Sequence, residues 1–63
     1  MFEKGKIYKV EEVGSKYDNV QGEYIKTMKD QKTGVRYAVL RKGRRHWWIP
    51  EMYWWRIKKV EDV

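Results

Sequence analysis

Sixty-three residues with a formal charge of +6, no cysteine and one histidine exclude a disulfide framework and a thiol-based zinc site, two usual staples of small folds. A chain this short buries only about 60% of its unfolded surface. Its 16% aromatic content, at on the order of 150–250 Å² per ring, therefore has to supply the core despite 38% charged residues.

One domain over residues 1–63 is expected, since no repeat, low-complexity segment or linker interrupts the chain. Met1-Phe2-Glu3-Lys4-Gly5-Lys6 has no apolar stretch of a secretion signal, and no apolar run approaches the ~18 residues of a membrane span. A soluble, cytoplasmic protein without membrane contact is the expectation. Charge is unevenly spread. Residues 1–31 balance six Lys against six Asp and Glu, whereas residues 32–59 hold nine Lys and Arg against Glu51 alone. Such asymmetry implies a positive surface and polyanionic partners.

In chain order, residues 6–13 (Lys-Ile-Tyr-Lys-Val-Glu-Glu-Val) read as a first strand bounded by Gly5 and Gly14. The Gly14–Gly22 stretch reads as a long loop rich in turn formers, with Tyr17 and Val20 implying that it folds back on the domain. Residues 23–29 read as a second strand, placing Tyr24 and Met28 on one face and Ile25 and Thr27 on the other. Asp30-Gln31-Lys32-Thr33-Gly34 is a hairpin turn in which Asp30 caps and Gly34 takes positive φ. Val35, Tyr37 and Val39 alternate with Arg36 and Ala38 in a third strand. A second tight turn, Arg41-Lys42-Gly43-Arg44, returns through residues 45–49 to Pro50, which cannot donate to a ladder and ends the strand. Pro50-Glu51-Met52 suits a single helical turn, and residues 54–60 read as a last strand. The competing reading runs a C-terminal helix over 50–62, with Tyr53, Ile57 and Val60 on one stripe.

The fold expected is all-β: about five short antiparallel strands with a one-turn helix near Pro50. Ile49-Pro50-Glu51-Met52-Tyr53-Trp54 resembles the Ile-Pro-Ser-Asn-Tyr-Val stretch that leads SH3 domains into their final strand. The resemblance implies a small SH3-like barrel, with Pro50 and Tyr53 on the groove side and Ile49 and Trp54 inward. Outside those six positions the Tyr-Asp-Tyr signature and acidic loop of the peptide-binding branch are missing, with Tyr17 and Asp18 as the only counterparts. The Lys29–Tyr37 stretch is similar to hairpins in short phage-encoded proteins of unknown function and to the basic hairpin of small archaeal chromatin proteins.

All four tryptophans lie between residues 47 and 55. Strand alternation sends Trp47 and Trp48 to opposite faces, and likewise Trp54 and Trp55. With Ile49 and Ile57 as inward markers, Trp47 and Trp55 become core and Trp48 and Trp54 surface, in conflict with the inward Trp54 of the SH3 resemblance.

Enzymatic chemistry is not expected. No nucleophile–base–orienter set can be assembled around His46 as the sole imidazole, and neither a cofactor nor a metal is called for. The reading is a non-enzymatic basic binding module. Its candidate residues are Arg36, Tyr37, Arg41, Lys42, Arg44, Arg45, Trp48, Tyr53 and Arg56, because guanidinium forks match phosphate oxygens and exposed indoles stack on bases. The expected partner is nucleic acid, DNA or RNA, with little sequence preference. The alternative is an acidic host protein docked by a phage-encoded inhibitor, and a third reading is capture of a nucleotide or small anion. The protein is expected as a monomer or small homo-oligomer.

Overall fold

The structure, a computed structural model, describes residues 2–12 and 14–60. Five strands, β1 (Ile7–Val10), β2 (Gln21–Lys29), β3 (Arg36–Lys42), β4 (Arg45–Pro50) and β5 (Ile57–Lys59), form one antiparallel sheet in the order β4-β3-β2-β1-β5. A six-residue 3₁₀ helix, Glu51–Arg56, carries the chain between the two edge strands. The all-β expectation holds, and among the described residues no ladder joins β4 to β5. The competing C-terminal helix does not form, because Ile57–Lys59 leaves the 3₁₀ turn and pairs with β1.

The turns follow their local chemistry. Asp30 accepts from the Lys32 amide (2.8 Å) and the Gly34 amide bonds the Asp30 carbonyl (2.7 Å). Gly34 at φ 77° and Gly43 at φ 62° occupy positions that a side chain disfavours. The β3–β4 loop contracts to Gly43-Arg44, with Lys42 facing Arg45; positive φ at its first residue alone is the type II′ pattern. In the first loop, Tyr17 and Val20 fold back against the core. Asp18 organises the loop by accepting from the Gly14 and Ser15 amides, both at 3.0 Å.

The core comprises Tyr8, Val10, Tyr24, Ala38, Leu40 and Ile49, with Phe2, Trp47, Tyr53, Trp54 and Ile57 packed around it. Phe2 joins the aromatic set edge-on, its ring 5.2 Å from both Tyr8 and Trp54.

Four expectations need correction. The first strand ends at Val10, where the Glu11 amide turns to the Arg56 carbonyl (2.8 Å); Val13 lies outside the described residues. β2 begins at Gln21, inside the expected loop, because Gln21 and Gly22 already pair with Lys9 and Tyr8. Tyr24 and Met28 lie on opposite faces, since the register shifts between Tyr24 and Lys26. One extra residue in a bulge inverts the alternation beyond it, so Tyr24 is core while Met28 is 43% exposed. Finally, the Trp54–Val60 strand starts only at Ile57, and Trp55, expected as core, is 69% exposed.

The exposure of Trp55 follows from the period of the helix that carries it. A 3₁₀ helix has three residues per turn, so side chains at i and i+3 eclipse. Glu51 and Trp54 form one column facing β3, where Arg36 pairs with Glu51 and lies 5.3 Å over the Trp54 ring. Met52 and Trp55 form the solvent column, 67% and 69% exposed. Tyr53 and Arg56 form the half-buried third. The Trp54 indole N–H donates to the Ile49 carbonyl (2.8 Å), which fastens the helix to the end of β4. In the first pair alternation holds, with Trp47 half-buried against the core and Trp48 47% exposed.

The hydrogen bond from Arg36 holds the Glu51 carboxyl below its ordinary value of 4.5. A carboxylate whose folded pKa is depressed contributes stability above its unfolded pKa and loses it as pH falls through the folded one. Wild type is therefore expected to exceed Glu51→Gln in urea midpoint at pH 7, with the gap closing below pH 4.5. A gap independent of pH would remove this pair from the account.

Candidate nucleic-acid interface

Register in the β2–β3–β4 meander decides which candidate side chains meet. Tyr37 faces Met28 and Pro50, Val39 faces Lys26 and Trp48, and Arg41 faces Glu23 and His46. These rows share the outer face, away from Leu40 and Ile49, because alternate residues of a strand share a face. Tyr37, Arg41 and Trp48 are thus brought together on one surface. Val39, only 2% exposed, is covered there by its neighbours, and Ile25, Lys26, Met28, His46 and Trp48 surround it in a shallow groove of about 390 Å³. The His46 ring lies 6.1 Å from Trp48, tilted by 32°.

Lys42 and Arg45 occupy the other parity at the same hairpin end, beside Trp47, with the Arg45 guanidinium 5.8 Å over that ring. Arg44 sits exposed at the tip. The remaining candidates lie elsewhere. Arg36 is engaged with Glu51 and Trp54 at the opposite end of β3. Tyr53 packs its ring 5.9 Å from Tyr17. Arg56 pairs with Glu11 at 3.7 Å and lies 4.4 Å over Trp55.

Electrostatics sorts the cations further. Arg36, Arg41 and Arg56 each have a carboxylate partner, Arg41 with Glu23 at 3.3 Å. Among the described residues no ion pair involves Lys42, Arg44 or Arg45. The hairpin end therefore concentrates positive charge without ion-pair partners among the described residues beside Trp47, while Trp48 lies further along β4 on the opposite face. Exposed pairs such as Arg41–Glu23 are worth little, so Arg41 can exchange its partner for an anion.

Ile25, Lys26, Met28 and His46 escaped the sequence reading. Alternation would have found His46, which shares parity with Trp48; the β2 residues depend on the bulge, which leaves no local signature. Among the described residues no group of three His, Asp or Glu is placed to hold a metal, and no helix is long and apolar enough to cross a membrane. Comparison with family models, curated proteins and solved structures returns no match.

Proposed function

We propose that this protein is a non-enzymatic nucleic-acid-binding module of the small SH3-like barrel kind, gripping its ligand at the β3–β4 hairpin with little sequence preference. The observation that carries this reading is the cluster of Lys42, Arg44 and Arg45, without ion-pair partners among the described residues, at the hairpin end beside Trp47, with Trp48 exposed on the other face of β4. Guanidinium and ammonium groups free of carboxylates neutralise phosphates and release counterions, while an exposed indole stacks on any base. Tyr37 and Arg41 extend the outer face around Trp48, whereas Arg36, Tyr53 and Arg56 lie apart from the hairpin end, engaged with Glu51, Tyr17 and Glu11. For the barrel, the support is that the 3₁₀ helix bridges the two edge strands beside the core.

A salt titration of affinity for generic single-stranded DNA and RNA tests the reading. The logarithm of affinity is expected to fall linearly with the logarithm of salt, by about 0.7 per phosphate contact. Arg44→Gln combined with Arg45→Gln should lower that slope by about 1.4. Trp48→Ala should leave the slope unchanged and weaken binding by about tenfold, at about 1–3 kcal/mol per stacked base. A flat salt response, or no binding at about 50 mM salt, would refute the proposal.

A second reading has its own support. Ile25, Met28 and Trp48 on the outer face, with Lys26, Arg41 and His46 around them, also suit an acidic protein carrying apolar anchors. A stoichiometric partner that survives nuclease treatment and moderate salt would favour it.

A further inference from the structure

A concavity of about 670 Å³ lies between β1, the loop before β2 and the base of the β3–β4 hairpin. Its walls are Lys9, Asp18, Asn19, Gln21, Lys42, Arg45 and Trp47, with Val20. Three cations from three strands converge on it, against one carboxylate. Asp18 is already committed to the loop: one oxygen accepts from the Gly14 amide at 3.0 Å, the other from the Ser15 amide at 3.0 Å and the Ser15 hydroxyl at 3.3 Å. Among the described residues Lys9, Lys42 and Arg45 enter no ion pair. Asn19 and Gln21 add amide donors at the rim, and Asn19 stands in the left-handed region at φ 64°, which asparagine tolerates better than most residues. Trp47, with Arg45 across its ring, supplies the one large aromatic wall.

Net positive charge, amide donors and a cation-capped indole in one cleft suit a phosphate with a flat aromatic group attached. We infer that this concavity seats one nucleotide of a single-stranded nucleic acid. Lys9, Lys42 and Arg45 hold the phosphate, and the base lies against Trp47 and Arg45. The inference rests on the nucleic-acid reading above and adds to it a residue from β1, Lys9, together with a preference for strand over duplex. Bases in a duplex are stacked inside and cannot present a face to Trp47.

Lys9→Gln tests it, with Lys32→Gln in the β2–β3 turn as a charge-matched control outside the concavity. Both positions are exposed, so neither substitution disturbs the core. Affinity for a fluorescent oligo-dT is measured by anisotropy across a salt series, and amide and indole shifts are followed by NMR as oligo-dT is added. Lys9→Gln is expected to lower the salt slope by about 0.7 while Lys32→Gln leaves it unchanged. The Asn19 and Gln21 amides and the Trp47 indole should shift on titration, and the matching duplex should bind more weakly. If wild type binds but Lys9→Gln and Lys32→Gln behave alike, or those resonances stay still, this seat is wrong and the nucleic-acid reading stands. If wild type binds neither strand nor duplex, both fall.

Discussion

Trp54→Ala is expected to destabilise the protein by about 3 kcal/mol, the lower end for removing a large aromatic from a packed site. A single core in a chain below 70–80 residues rarely supplies more than about 3–5 kcal/mol, so this variant should keep at most about 2 kcal/mol and show a urea midpoint near the bottom of the titration. Three contacts converge on Trp54: Phe2 edge-on at 5.2 Å, the Arg36 guanidinium at 5.3 Å, and its own N–H to the Ile49 carbonyl at 2.8 Å. Trp55→Ala, one residue later, removes a side chain that is 69% exposed and touches the Arg56 guanidinium. An exposed contact of that kind is worth about 0.5–1 kcal/mol. Urea denaturation of both variants measures the contrast. Trp54→Phe, which keeps a six-membered aromatic ring but loses the five-membered ring with its N–H, should fall between them, about 2 kcal/mol below wild type. Equal losses at 54 and 55 would mean that the 3₁₀ columns are misassigned.

Gly22→Ala should be the most damaging single-methyl change in the sheet. Gly22 pairs with Tyr8 on one side, while a Cβ built on it would meet the Arg41 carbonyl oxygen at 2.7 Å and the Arg41 carbonyl carbon and amide nitrogen at 3.0 Å. Those atoms belong to backbone and cannot rotate away, so β2 and β3 must separate where their ladder begins. Overpacking of this sort costs about 1–3 kcal/mol. At about 4–8 °C per kcal/mol in a domain of this size, a melting temperature lower by roughly 10 °C is expected, and Gly22→Val should not fold. A melting curve for Gly22→Ala superimposed on wild type would show that β2 and β3 do not approach closely at this point.

Gly22 also marks where reading the chain stops being sufficient. Flanked by turn formers, it reads as the end of a loop. In the fold it lies within a strand, because β2 is wrapped on one side by β1 and crossed on the other by Arg41. The charge asymmetry, the two hairpin turns, the helical start after Pro50 and the opposed faces of Trp47 and Trp48 were all legible in the sequence. Each depends on backbone preferences over a few neighbouring residues: Asp30 and Gly34 close one turn, Gly43 the other, and alternation sorts the first Trp pair.

Contacts between distant segments decided the rest. The bulge between Tyr24 and Lys26 exists because β2 must meet β1 and β3 with Tyr24 inside, and it alone brings Ile25, Lys26 and Met28 beside Trp48. Lys9 joins Lys42 and Arg45 only because the sheet carries β1 and the β3–β4 hairpin to a common cleft. Trp54 turns inward and Trp55 outward because the chain after Pro50 continues as two turns of 3₁₀ helix. That period is set by the Ile49 carbonyl, the Phe2 ring and the Arg36–Glu51 pair, none of which is encoded within the Trp-Trp dipeptide itself.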